Sequence, residues 1–86
     1  MQEVAYLIER SDITEEIVRV NIHIDSFLEY LKAKKPVGKR LGFLTQEINR
    51  EVNTIGSKSP LPSVTGKVVE VKNELEKIRE QLLNIL

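Results

Sequence analysis

The run VTGKVVEVKNELEKIREQLLNI, residues 64–85, decides the fold. Val64, Val68, Val71, Leu75, Ile78, Leu82 and Ile85 recur at steps of four and three, the period of one face of an α-helix and not the alternation of a strand. The steps form a heptad seam, with Glu and Lys filling the outer positions. Such a helix, reading from about Ser63 to Ile85, is stable in water only if its stripe packs on something. The partner is another helix of the chain, the same helix of a second subunit, or both.

Working backwards, Gly56-Ser57-Lys58-Ser59-Pro60-Leu61-Pro62 holds two of the three prolines and reads as a stiff connector. Before it, Leu41, Leu44, Ile48, Val52 and Ile55 mark one face of a second helix, about Val37 to Ser57. Lys35-Pro36-Val37-Gly38 precedes that helix; proline disfavours helix in the residue before it and suits the start of the next. The first helix runs from about Val4 to Lys34, with Ile17, Val20, Ile24, Phe27, Leu28 and Leu31 in rhythm and Phe27 read as core. Asp12 followed by Glu15 has capping-box spacing, so a break at Ser11 is the alternative to one long helix. The expectation is an all-α chain, three helices in an up-down-up bundle or hairpin arrangement with a heptad-patterned last helix.

At 86 residues the chain holds one domain at most and lacks room for a deep enclosed site. It has no Cys, which removes disulfides, thiolate zinc sites and thiol nucleophiles. Thirteen bases cancel thirteen acids, but not evenly. Residues 1–31 carry seven acids against two bases, and residues 32–58 carry seven bases against two acids. The basic middle segment is therefore the part suited to an anionic partner. With no basic, apolar leader and no long apolar run, the chain is expected to be cytoplasmic and to engage no membrane.

The second helix has an unusual polar side. Gln46, Asn49, Arg50, Asn53 and Ser57 form one stripe and Glu47, Glu51 and Thr54 the next, in place of the usual Lys and Glu. Amides offer directional donors and acceptors, so the stripe is either a recognition surface or, on the plainer reading, a solvated face or an interhelical hydrogen-bond ladder. Lys39 and Arg40 open this helix where its dipole favours acids, a conflict that a bound phosphate relieves; the alternative is a solvated lysine-rich turn. His23 is the sole histidine. With Glu47 and Glu51 it has the donor set for a divalent ion or for acid–base work on a phosphodiester; otherwise it is a histidine satisfied at an interface.

Three stretches carry a resemblance. Ser11-Asp12-Ile13-Thr14-Glu15-Glu16 leading to Arg19 and His23, Pro36 to Leu41, and Phe43-Leu44-Thr45-Gln46 through Ser57-Lys58 resemble the C-terminal segment of the YicC/YloC family of bacterial stress-induced proteins. Glu76 to Ile85 is similar to that family's ending. The resemblance implies a parent about three times as long, assembled as a homo-oligomer, hexamers among them, and acting as a metal-dependent endoribonuclease on RNA. It implies manganese or magnesium as cofactor and no specificity for DNA. The matching positions are His23, Gly38, Arg40, Gln46, Glu47, Asn49, Arg50, Glu51, Asn53, Ser57 and Lys58. From them His23, Glu47 and Glu51 are the catalytic candidates, Glu47 and Glu51 the metal candidates, and Arg40, Gln46, Asn49, Arg50, Asn53 and Lys58, together with Lys39 of the basic turn, the RNA-binding candidates. Gly42 stands where the family usually has Asp, and Pro60 to Ser63 replaces a more acidic stretch. A non-catalytic oligomerisation or adaptor module is the alternative, and the 86 residues alone are expected to be inactive.

Overall fold

A computed structural model describes residues 12–34 and 37–85 of the chain. They form three helices, α1 (Thr14–Leu31), α2 (Gly38–Lys58) and α3 (Pro62–Ile85), with no strand among the described residues. The all-α, three-helix expectation holds.

The first helix is shorter than its apolar rhythm suggests. Asp12 and Ile13 are not helical, and the Asp12 carboxylate accepts hydrogen bonds from the Thr14 N–H at 2.9 Å and the Thr14 hydroxyl at 2.6 Å. That N–H is the donor a helix running through Ser11 would aim at the preceding turn. The single helix from Val4 is therefore corrected to one starting after the break, and residues 4–11 lie outside those described. At the other end the Lys32 and Ala33 N–H groups bond to the carbonyls of Glu29 and Tyr30, tightening the last turn before Lys34. α3 starts at Pro62, whose missing N–H costs nothing in the first turn, and the Leu61 carbonyl takes the next donors, Val64 and Thr65.

Both outer helices run antiparallel to α2. Arg19 meets Glu51 and Glu16 meets Lys58, while Val68 lies beside Gly56 and Lys72 beside Asn53. The core sits between α2 and α3, where Ile48, Val52 and Leu75 form one buried cluster, with Val20 and Val68 against it. Leu41, Leu44 and Leu82 are also buried. Gly56 lets the two backbones close, since a Cβ there would stand 3.2 Å from Val68 Cγ1. Thr45, buried among these side chains, satisfies its hydroxyl by donating to the Leu41 carbonyl at 2.8 Å.

α1 attaches differently. Its one buried residue is Glu16, and the stripe expected to be core stays partly open, with Ile17 45%, Ile24 40% and Leu28 49% exposed. Phe27 is half-buried. α1 and α3 stand apart over α2 and leave an apolar groove of 870 Å³, floored by Ile48 and Val52 and walled by Ile17, Ile24, Val68 and Val71. The up-down-up order is realised as two helices flanking a central one.

Candidate functional site

Two seams flank α2, one toward each neighbour, and they share out the residues expected to act. On the α1 side the chemistry is ionic. Glu16, 3% exposed, accepts from Lys58 Nζ at 2.7 Å, and the Arg19 guanidinium donates from Nε to Glu51 Oε1 at 2.8 Å while its other nitrogens lie 3.5 Å from Glu15 and 3.6 Å from Glu16. The Lys58 hydrogen bond holds the Glu16 carboxyl below its ordinary value, against the opposing effect of burial. The Glu51 hydrogen bond raises Arg19 above the usual arginine value. Glu16 Oε2 is buried without a hydrogen-bond partner among the described residues.

This seam holds four sequence candidates. Glu51 is buried and bonded to Arg19, and Lys58 is bonded to Glu16 and to the Asp12 carbonyl, at 3.4 Å. His23 and Glu47 each lie one helical turn beyond the Arg19–Glu51 pair, in the direction that antiparallel packing keeps level, so His23, Glu47 and Glu51 share one seam. Both His23 and Glu47 are half-buried, and Glu47 lies 3.9 Å from Arg50. Among the described residues no three His, Asp or Glu side chains come together as a metal site requires. With Arg19 on Glu51, these residues do not form a metal cage by themselves.

On the α3 side a second groove, of 550 Å³, runs between α2 and α3. Lys39, Gln46 and Asn49 line it from α2, and Lys72, Glu76 and Arg79 from α3, so three cations face one carboxylate. Lys72 Nζ donates to Asn53 Oδ1 at 2.7 Å, which fixes one amide of the polar stripe. Arg79 pairs with Glu76 at 2.6 Å on the exposed surface, and that hydrogen bond lowers the Glu76 carboxyl. Phe43, 51% exposed, lies along the same groove, and Gly42 faces open space. Arg40 and Arg50 are exposed on α2 but do not line the groove. At the start of α2 no side chain caps the helix and no acid occupies the first turn, as the sequence led us to expect.

Sequence reasoning thus found the α2 half of this groove and missed the α3 half. Lys72 and Arg79 stand seven residues apart, one face of a helix, but they belong to a stretch where charges balance and nothing marks it out. It also left Glu16 without a role, although Glu15, Glu16 and Arg19 have the spacing of helix ion pairs.

The chain was compared with known proteins. All of residues 1–86 match the family model described as "Endoribonuclease YicC-like, C-terminal". A relative from Clostridioides difficile (strain 630), named "Probable endoribonuclease YicC", is 54% identical over 84 residues, covering 98% of this chain and 29% of the relative. One of the same name from Haemophilus influenzae is 40% identical over 84 residues, with the same coverage. The chain spans under a third of the length of these relatives.

Proposed function

From membership of the YicC-like endoribonuclease C-terminal family, to which this chain belongs, we propose that it forms the RNA-contacting part of an endoribonuclease. The observation that carries this reading is the α2–α3 groove. It gathers amides that can hydrogen-bond bases with cations that can neutralise phosphates, drawn from two helices. Lys39, Gln46 and Asn49 act there as RNA-binding residues, joined by Lys72 and Arg79, while Asn53 is held by Lys72. Arg40 and Arg50 extend the basic surface outside the groove.

In this reading the α1–α2 seam sets the helices that carry the groove. Lys58 and Glu51 serve as struts, and His23 and Glu47 are the members left to act in cleavage. A divalent ion, manganese or magnesium, would have Glu47 as its candidate ligand here and need further ligands besides, because Glu51 is held by Arg19 and no three such donors gather among the described residues. Cleavage and homo-oligomeric assembly belong to the longer protein, with RNA as its substrate and the cytoplasm as its place. Among the described residues no helix is long and apolar enough to cross a membrane.

A second reading, an assembly module, is favoured by the apolar groove between α1 and α3. The experiment that separates the two is RNA binding and cleavage by the full-length protein, with and without divalent metal, comparing wild type with Lys72→Ala and Val71→Glu. The RNA reading expects Lys72→Ala to weaken binding and the assembly state to persist. Undiminished binding by a Lys39→Ala/Lys72→Ala double variant would overturn it.

A further inference from the structure

We infer that Phe43 is a stacking platform for one unpaired base of the RNA. The inference rests on the RNA reading above and adds to it the kind of strand the groove accepts. Phe43 is a large apolar side chain left 51% exposed on the middle helix, although buried positions lie close by on the same helix at Leu41 and Leu44. Solvation does not explain a phenylalanine there; Leu82 and the exposed Leu83 share the groove with it, and so do charged and amide groups. Lys39 lies one turn before it and Gln46 three residues after it, and across the groove stands Arg79.

These groups suit the three parts of a nucleotide. A ring face takes the base, the Gln46 amide reaches a base edge, and Lys39 and Arg79 supply charge for the flanking phosphates. A paired base offers no free face to such a ring, so the platform selects single strands, loops or bulges over duplex. Gly42, with open space where its side chain would be, keeps the approach beside Phe43 clear.

The test uses the full-length protein in a metal chelator, so that RNA is bound and not cut. The probes are a single-stranded oligoribonucleotide with one 2-aminopurine and the same sequence as a duplex. The variants are Phe43→Leu, which keeps apolar bulk, Phe43→Tyr, which keeps the ring, and Lys72→Ala. Stacking predicts that Phe43→Leu loses about tenfold or more in single-strand affinity, within the range known for base–aromatic contacts, and loses 2-aminopurine quenching. Duplex affinity should not change, and Phe43→Tyr should behave as wild type. Equal affinity of Phe43→Leu and wild type for the single strand overturns the platform, and if Lys72→Ala is weakened in the same experiment the RNA reading stands without it. A change in sedimentation by Phe43→Leu at constant RNA affinity also overturns it, making Phe43 a protein contact. Failure of wild type to bind either RNA removes both readings.

Discussion

Replacing Lys58 by alanine is expected to destabilise the domain strongly while leaving RNA affinity nearly unchanged. Lys58 is among the RNA-binding candidates that the family resemblance implies, so a loss of binding is the competing expectation. The structure puts its ammonium 2.7 Å from Glu16, whose side chain is 4% exposed and has one oxygen already unpartnered. Removing Lys58 leaves that carboxylate, among the described residues, with a backbone hydrogen bond of its own residue and the longer Arg19 contact at 3.6 Å. Breaking a buried pair from one side costs about 3–5 kcal/mol, and the 35% exposure of Lys58 puts this pair at the low end, about 3 kcal/mol. For a domain of this size that corresponds to roughly 12–24 °C in melting temperature. The measurement is urea unfolding followed by helical circular dichroism at pH 7, beside RNA titration. A Glu16→Met/Lys58→Met double variant should recover most of the loss, since it leaves no lone charge. The reasoning is refuted if Lys58→Ala unfolds within about 0.5 kcal/mol of wild type, the scatter of ordinary surface substitutions, and instead weakens RNA binding.

Four further outcomes follow from the same geometry. Because the folded Glu16 carboxyl lies below its ordinary value, its contribution is present at neutral pH and is lost as pH falls from the ordinary glutamate range through that lower folded value; Glu16→Gln should flatten that acid limb in pH-dependent unfolding. Gly42→Ala should stabilise by about 1 kcal/mol through helix propensity, as nothing lies within 4 Å, whereas Gly56→Ala should gain nothing, because the stiff, β-branched Val68 stands 3.2 Å away. Leu75→Ala, at the centre of the α2–α3 core, should cost about 2–5 kcal/mol by urea unfolding. Lys39→Ala and Lys72→Ala should each weaken RNA binding across sequences and lower the slope of log affinity against log salt by about one, measured between low and moderate salt.

What could be read in the sequence differs from helix to helix for a physical reason. α2 and α3 pack through apolar faces, and the period of Leu41, Leu44, Ile48 and Val52 and of Val68, Leu75 and Leu82 states those faces directly. α1 joins α2 through Val20 against the core and through the ion pairs of Glu16, Arg19, Glu51 and Lys58; the apolar rhythm states the first, but charged residues on a helix ordinarily mean solvent, so hydropathy points away from the second. The pairs also join residues 32 and 42 apart, a distance no local spacing rule spans. The non-helical Asp12 and Ile13 are hidden for the opposite reason: Leu7 and Ile8 carry the apolar rhythm on the far side of them in the sequence, and only Asp12 marks the start of α1. For the candidate site, amides on α2 were visible because they are rare on a helix surface. Their partners on α3 are lysine and arginine among glutamates, which every exposed helix carries.

The cancelling charges of the chain acquire a structural meaning from these two seams. Acids of α1 are not a separate patch, because Glu16 neutralises Lys58, a base of the second helix, and Arg19 returns the favour to Glu51. The −5 and +5 segments thus annul each other most closely where they touch, along one side of α2. On the other side Lys39 meets no acid of α1, and α3 adds two cations against Glu76 alone. Net charge is a poor guide to an anionic partner in such a chain, because bases such as Arg19 and Lys58 are used to hold a helix in place. The exposed remainder has the sign and the two-helix geometry that phosphate contact needs. It follows that substitutions of the ion-paired residues on the α1 side should register in stability and those of the groove cations on the α3 side in RNA affinity. A variant of Arg19 that lowers affinity without loosening α1 would break that division.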